Sequence, residues 1–280
     1  MTSPPVDRTI KALRSRVTLW RTTAQKIALV PTMGALHAGH TALIAEARKR
    51  AAKVIVSIFV NPTQFSPGED FTAYPRDEAA DLAKLADAGI DAVFAPTVAE
   101  MYPTGFATTI VVGGPSEDLE ATSRPQFFTG VATVVTKLLQ IASPDFAIFG
   151  EKDYQQLLVV RRLSTDLGFP AEIVGVPTIR ETDGLALSSR NAYLSEAERA
   201  IAPRLNAALR VAAEAIRSGG SADTAISIAR SKLTAAGFKM DYMRLRNANT
   251  LEPVKEPTER RRLLVAAWLG KTRLIDNVGV

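Results

Sequence analysis

The chain's two histidines, His37 and His40, both lie in one ten-residue stretch, PTMGALHAGH. Gly34 and Gly39 remove Cβ atoms there, as is needed where backbone must pass close to a ligand. The histidines stand three apart at the predicted opening of a helix, so both rings can face the same side. A helix N-terminus favours anions through its unpaired N–H groups and its dipole, and two added imidazoles make a phosphate site of it. The plainer reading is that they only cap or pack the helix start. Zinc is a poor fit, since the chain has no cysteine and no third histidine and only carboxylates could complete the shell.

Other polar residues suit the same chemistry. Lys152, in GEKDYQQ, follows a predicted buried strand by three residues, so its ammonium can reach a ligand crevice as a compact charge for phosphate. Ser188, Ser189 and Arg190 put two hydroxyls and a guanidinium together, a set able to grip phosphate oxygens. Asn61, Gln64 and Gln156 carry amides that both donate and accept, as suits the hydroxyl and carboxylate oxygens of a small polar substrate. For Asn61 a turn role competes, because it precedes Pro62. The absence of cysteine excludes thiol nucleophiles, disulfides and iron–sulfur clusters. No Gly-x-Ser-x-Gly elbow, Walker A pattern or Gly-x-Gly-x-x-Gly occurs.

The elements that must position these residues alternate along the first 178 positions. Strands are expected at Lys26–Val30, Val54–Val60, Asp91–Ala95, Asp145–Phe149 and Glu172–Val176. Helices are expected at His40–Ala52, Arg76–Ala88, Gly130–Ala142 and Tyr154–Asp166. This is the pattern of an α/β fold with a doubly wound, Rossmann-like parallel sheet, whose strands are covered on both faces. In such sheets ligands bind beyond the carboxyl ends of the strands, at the switch in strand order. The clusters PTMGALHAGH, NPTQF, GEKDYQQ and LSSRN each follow an expected strand, so they should converge on one crevice. Residues 179–280 read as a smaller C-terminal α+β domain. Its helices are expected at Ser195–Ser218, with a Ser195/Glu198 capping box, and at Ser221–Ala236, ended by Gly237. Strands follow at Met240–Arg246, Leu263–Leu269 and Thr272–Asp276.

The net charge of +5 is unevenly placed: residues 1–178 hold 17 Lys and Arg against 18 Asp and Glu, and residues 179–280 hold 17 against 11. A basic C-terminal module could simply be a solvated face, or could close on a polyanion such as a nucleoside triphosphate. Nucleic acid is disfavoured, because no aromatics are interleaved with the basic run Arg260–Arg262. No apolar run approaches the ~20 residues of a membrane span. The basic N-terminus lacks a signal's apolar region of about 7 to 15 residues. A cytoplasmic location is expected.

Taken in order, PTMGALHAGH, SIFVNPTQF, EDFTAYPRD, MYPTG, IFGEKDYQQL, VGVPTIRETDGLALSSRNAYL and LVAAWLGKTRLIDN closely resemble the pantothenate synthetase (pantoate beta-alanine ligase) family over nearly the whole chain. The His-x-Gly-His turn alone would indicate only the wider nucleotidyltransferase superfamily, which leaves another adenylyltransferase of the same fold as the alternative. The resemblance implies a cytoplasmic homodimer with a C-terminal lid, using ATP and Mg2+ to make pantoyl adenylate and then pantothenate from beta-alanine. It implies that Met33, Gly34, Ala35, Leu36, His37, Ala38, Gly39 and His40 bind ATP. The same holds for Gly150, Glu151, Lys152, Asp153, Ile179, Leu187, Ser188, Ser189 and Arg190. His40 would be the proton donor, with His37, Lys152 and Arg190 also catalytic; Gln64 and Gln156 would hold pantoate. Two positions depart from the family pattern. Phe127 stands where many relatives carry a histidine, and Ala80–Asp81 where some carry an acidic pair, so that Asp81 is a weak candidate for a metal ligand.

Overall fold

The structure, a computed structural model, describes residues 3–66, 68–69, 71–256 and 258–280. It divides into two compact units. One runs to Glu151 and resumes over Gln155–Pro177; the other is Lys152–Tyr154 with Thr178–Val280. The division falls near the expected residue 178, but the segment Lys152–Tyr154 goes with the second unit.

In the first unit, runs of β-branched and aliphatic residues form the strands of a six-stranded parallel sheet. These are β1 (Val6–Asp7), β2 (Ile27–Thr32), β3 (Lys53–Ile58), β4 (Ala92–Phe94), β5 (Phe146–Gly150) and β6 (Glu172–Val176). Their order is β1-β4-β3-β2-β5-β6. From β2 the chain steps outward through β3 and β4, then returns to place β5 and β6 on the other side of β2. The switch in strand order therefore lies between β2 and β5, which pair at Ala28 with Phe146 and Leu29 with Ala147. Ile27, Ala28, Leu29 and Val30 have no exposed surface, as a strand covered on both faces requires. One face packs Ile27 and Leu29 against Leu13 of α1 (Ile10–Arg21), Val135 of α6 (Phe127–Ala142) and Leu157 of α7 (Tyr154–Asp166). On the other, Ala28 and Val30 meet Ile44 of α2 (Ala38–Arg50) and Leu85 of α3 (Glu78–Asp87). Short helices α4 (Val98–Met101) and α5 (Glu120–Ser123) sit in the loops.

The second unit has a three-stranded antiparallel sheet, β7 (Phe238–Asn247), β8 (Arg261–Leu269) and β9 (Thr272–Gly279), with β8 central. Leu205, Leu209 and Ile216 of α9 (Arg204–Arg217) and Leu233 of α10 (Ala222–Ala235) bury against Met243, Leu263 and Val265. The helix expected over Ser195–Ser218 is two, α8 (Glu196–Ile201) and α9. Pro203, which has no N–H and whose ring crowds the preceding turn, separates them. The expected capping box is present: Ser195 Oγ accepts from Glu198 N–H at 3.3 Å, and the Ser195 N–H donates to the Glu198 carboxylate at 2.8 Å. Among the strands and α-helices of the first unit, β1, α1, α4 and α5 were not anticipated, although Thr9 caps α1 by accepting from the Ala12 N–H at 3.1 Å. Among the described residues no helix is long and apolar enough to cross a membrane.

Candidate active site

Beyond β2 the backbone turns sharply through Gly34 (φ +82°) and Ala35 (φ +50°), two successive left-handed residues. A Cβ on Gly34 would meet Asp81 Oδ2 at 3.0 Å and Ile58 Cγ2 at 3.3 Å, so glycine is needed for space as well as for φ. Helix α3 holds this turn by both backbone polarities. Asp81, 2% exposed, accepts the N–H groups of Ala35 at 2.9 Å and Leu36 at 2.8 Å, and Lys84 donates to the Leu36 carbonyl at 2.6 Å. The structure thus gives Asp81 a task other than metal ligation: its carboxylate is the anion that fills the amide pair of the turn. Among the described residues no group of three or more His, Asp or Glu side chains is placed to hold a metal ion.

His37 is the N-cap of α2. Its Nδ1 accepts the Gly39 N–H at 3.1 Å, while the His37 N–H donates to His40 Nδ1 at 3.2 Å. This is a reciprocal capping box with imidazoles in the roles usually taken by Ser and Glu. The ring centroids are 4.2 Å apart, tilted by 43°. Capping and chemistry are therefore not alternatives. A ring nitrogen that accepts a hydrogen bond carries no proton, so each neutral ring bears its proton on Nε2 and is a donor there. The His40 and Thr41 N–H groups both turn back to the His37 carbonyl, at 2.8 and 3.2 Å. Those two amides of the helix start are therefore engaged within the turn itself.

After β3 the chain makes a single 3-10 turn, Pro62–Gln64. Asn61, 1% exposed, uses its whole amide internally. Its Nδ2 donates to Gln64 Oε1 and to the Gly130 carbonyl, each at 3.1 Å, and its Oδ1 accepts from the hydroxyls of Thr63 at 2.9 Å and Tyr102 at 2.8 Å. Asn61 thus has the turn role that its place before Pro62 suggested, and it also holds the Gln64 side chain. Burial raises the Tyr102 hydroxyl above its ordinary pKa, against the lowering effect of its bond to Thr63, so it stays a neutral donor. Gln64 Nε2 faces Met33 Sδ at 3.2 Å, which ties it to the histidine turn. The Gln64 carbonyl accepts from Arg124 at 3.1 Å, and Arg124 makes a two-point pair with Glu69 at 2.7 and 2.8 Å. Phe127 lies under the Arg124 guanidinium, 3.8 Å from ring centroid to Cζ. Arg124, Tyr102 and Gly130 were not singled out from sequence. Only the small residue inside an apolar helix, in FFTGVATVV, signalled a close approach.

Beyond β5, the first unit carries Gly150, Glu151 and the adjacent glutamines at the start of α7. These two divide the work. Gln155, 4% exposed, donates to the carbonyls of Pro115 at 2.9 Å and Asp118 at 2.7 Å and accepts from the Glu120 N–H at 3.1 Å. Gln156 is half-buried, and its amide has no hydrogen-bond partner among the described residues. The first unit thus gathers Met33–His40, Asn61, Gln64, Gly150, Glu151 and Gln156 on segments leaving the carboxyl ends of β2, β3 and β5.

Lys152, Asp153, Ile179 and Leu187–Arg190 belong to the second unit. Asn277 donates to the Lys152 carbonyl at 2.9 Å and accepts from Arg262 at 2.6 Å, which fixes the backbone that carries the lysine. The Lys152 ammonium is 3.7 Å from the Asp153 carboxylate. Arg262 also stacks on Tyr154 at 3.7 Å, so part of the C-terminal basic excess is structural. Ile179 and Leu187 face each other across a narrow loop, with the Leu187 N–H donating to the Ile179 carbonyl at 3.0 Å. Arg180 fastens that loop to β9 through Asp276, at 2.7 and 2.8 Å. Arg199 bonds Asp183 at 2.6 Å and holds its carboxyl below the ordinary aspartate value. Ser188 caps the turn Ser189–Tyr193 by accepting from the Arg190 N–H at 3.2 Å.

An open parallel sheet, with a glycine turn and two capping histidines at the switch in strand order, defines a Rossmann-like α/β protein, here joined to a small α+β unit. Residues 6–279 match the family model for pantoate-beta-alanine ligase. Pantothenate synthetases of Mesorhizobium japonicum and Caulobacter vibrioides are 57% and 54% identical; the first alignment covers 100% of this chain and 99% of the relative, the second 100% of each. The crystal structure of pantothenate synthetase from Thermus thermophilus superposes with a TM-score of 0.91 at 48% identity, covering 98% of each chain. That of pantoate-beta-alanine ligase from Francisella tularensis, complexed with beta-gamma ATP and beta-alanine, gives 0.85 at 35% identity, over 99% of this chain and 98% of that one. The chain belongs to the pantoate-beta-alanine ligase family, as its motifs led us to expect.

Proposed function

We propose that this ligase joins pantoate to beta-alanine with ATP, through pantoyl adenylate. A pantoate carboxylate oxygen attacks the α-phosphorus of ATP, and the bond to pyrophosphate breaks. The beta-alanine nitrogen then attacks the acyl carbon; AMP leaves, and the amine gives up a proton as the amide forms. The observation that carries this reading is the histidine pair: two rings whose Nδ1 atoms are occupied by capping bonds, at the switch point of the sheet. A carboxylate is ionised at neutral pH, so the first step needs no general base. It needs alignment and donors aimed where charge builds on the phosphates. His37 and His40 supply Nε2–H donors, with His40 the proton donor that the family pattern assigns. Lys152, Ser188, Ser189 and Arg190, which the family resemblance assigns to the nucleotide, have the charge and hydroxyls that suit its phosphates.

Met33–His40, Gly150–Asp153, Ile179 and Leu187–Arg190 serve the nucleotide in this reading. Gln64 and Gln156 hold pantoate, and Asn61 serves by fixing Gln64. A protein cage for Mg2+ does not fit the described residues, since among them no group of three or more His, Asp or Glu side chains is placed to hold a metal ion and each Asp81 oxygen already accepts a backbone N–H. Mg2+ characteristically keeps its waters and binds through substrate phosphates, so it accompanies ATP, and no step is assigned to it. The family resemblance adds a cytoplasmic homodimer, which sedimentation can check. The deciding experiment is exchange of labelled pyrophosphate into ATP with pantoate present and beta-alanine absent. Exchange is the expected outcome. None with pantoate, but exchange with another acceptor, would make the chain a different adenylyltransferase.

A further inference from the structure

Gly130 lies where α6 meets the turn Pro62–Gln64. A Cβ built on it would come within 2.7 Å of the Gln64 nitrogen and nearer still to the Thr63 carbonyl, so only glycine allows this approach. The approach sets the Gly130 carbonyl 3.1 Å from Asn61 Nδ2. A carbonyl only accepts, and the Thr63 N–H, which only donates, reaches Asn61 Oδ1 at 3.4 Å on the other side. Those two groups fix which end of the Asn61 amide is nitrogen; the Tyr102 and Thr63 hydroxyls could have adapted to either. The remaining Asn61 N–H takes Gln64 Oε1. Gln64 must therefore turn its oxygen toward Asn61 and its NH2 outward, past Met33 Sδ, which is a weak acceptor.

We propose that Gly130, acting through Asn61, is a positioning residue that sets the polarity of Gln64, so that this part of the site selects a substrate oxygen able to accept. The α6 backbone thereby contributes to specificity without touching the substrate. A carboxylate or hydroxyl lone pair is favoured there, and a group that must donate is refused, because a buried donor facing the Gln64 NH2 would leave both unpaired. The inference rests on Gln64 holding pantoate, as proposed above.

Steady-state kinetics on four variants test it. Gln64→Ala checks the underlying reading and should raise the pantoate KM about tenfold or more, the usual effect of losing a hydrogen bond to a charged group. An unchanged KM would end that reading, and the proposal with it, before Gly130 is at issue. Gln64→Glu can still accept from Asn61 but has nothing to donate outward, and should raise the pantoate KM at least as much as Gln64→Ala. Pantoate binding by Gln64→Glu at the parent level would overturn the polarity argument. Gly130→Ala should raise the pantoate KM about tenfold while the ATP KM stays within about twofold, and should add nothing in a Gln64→Ala background. An equal effect in both backgrounds would mean that Gly130 is merely structural and would overturn the proposal. If thermal melting shows Gly130→Ala unfolded, Asn61→Ala takes its place in the same cycle, with the same two outcomes.

Discussion

Asp81→Asn is an almost isosteric change at the most tightly held point of the histidine turn. The carboxylate accepts two backbone N–H groups, at 2.9 and 2.8 Å, in a site with 2% exposure. Asparagine can keep one of them. At the other, its NH2 would face the N–H of Ala35 or Leu36, two donors with no acceptor between them. A hydrogen bond to a charged group contributes about 1.5–3 kcal/mol, and a buried donor left unpaired costs about 1–3 kcal/mol. We therefore expect a loss of about 3 kcal/mol. The bonds hold Gly34 and Ala35 in the left-handed region, and the Ala35 conformation is itself unfavourable for a residue with a Cβ. The lost energy should fall first on the turn that aims His37 and His40. If all of it does, pyrophosphate exchange falls by up to about a hundredfold, at roughly 1.4 kcal/mol per tenfold. The assays are urea unfolding and pantoate-dependent exchange across a magnesium titration. A turn-holding role predicts a loss that no magnesium concentration restores. Recovery at high magnesium would refute the argument and return Asp81 to metal binding; parent-level stability and exchange together would refute it outright.

Further outcomes follow from the same geometry. His40→Gln keeps a side-chain acceptor for the His37 N–H, as capping boxes use, yet removes the imidazole; exchange should fall by about a hundredfold, in the range of a lost acid–base or charge-stabilising group, with melting nearly unchanged. Lys152→Ala should match that loss, and near-normal turnover in either variant would remove its assignment. Gln156→Ala, whose amide has no partner among the described residues, should weaken pantoate more than ATP in separate calorimetric titrations. Asp276→Ala leaves Arg180 without its two-point partner, 2.7 Å away beside a carboxylate that is 3% exposed; breaking such a pair costs about 3–5 kcal/mol, readable by denaturant titration. The Tyr102 pKa is raised on folding, so the native state holds that proton longer than the unfolded chain. Stability should then fall as pH climbs past the ordinary tyrosine value of about 10, and Tyr102→Phe should abolish that component.

The strands were legible because a parallel sheet buries both faces of each strand, which writes near-continuous apolar runs such as IALV and KVIVSI. The histidine turn was legible for a similar reason: glycine, imidazole and a helix start stand within ten residues, and local physics constrains them there. Pro203 would have marked the break between α8 and α9 had its missing N–H been weighed against the capping box just before it. Helix α1 was missed because its burial is confined to a narrow stripe, with Leu13 and Val17 its only fully buried members.

What the sequence determined by itself was the class of fold, the place of the histidine turn and the family, all carried by local patterns or by motifs in order. Tertiary structure decided the division of labour among similar side chains. Gln155 and Gln156 are neighbours of one type, yet a helix turns successive residues about 100° apart, and only packing against the loop before α5 makes the first a strut and leaves the second available. Asn61 and Gln64 are likewise two amides three positions apart; the Gly130 carbonyl, 69 residues on from Asn61, makes one the support of the other. Asp81 could ligate a metal or brace a turn on sequence alone, and α3 sets it 46 residues from the Ala35 N–H it accepts. These assignments depend on which donors and acceptors meet across the fold, and hydrogen bonding across such separations leaves no periodic trace along the chain.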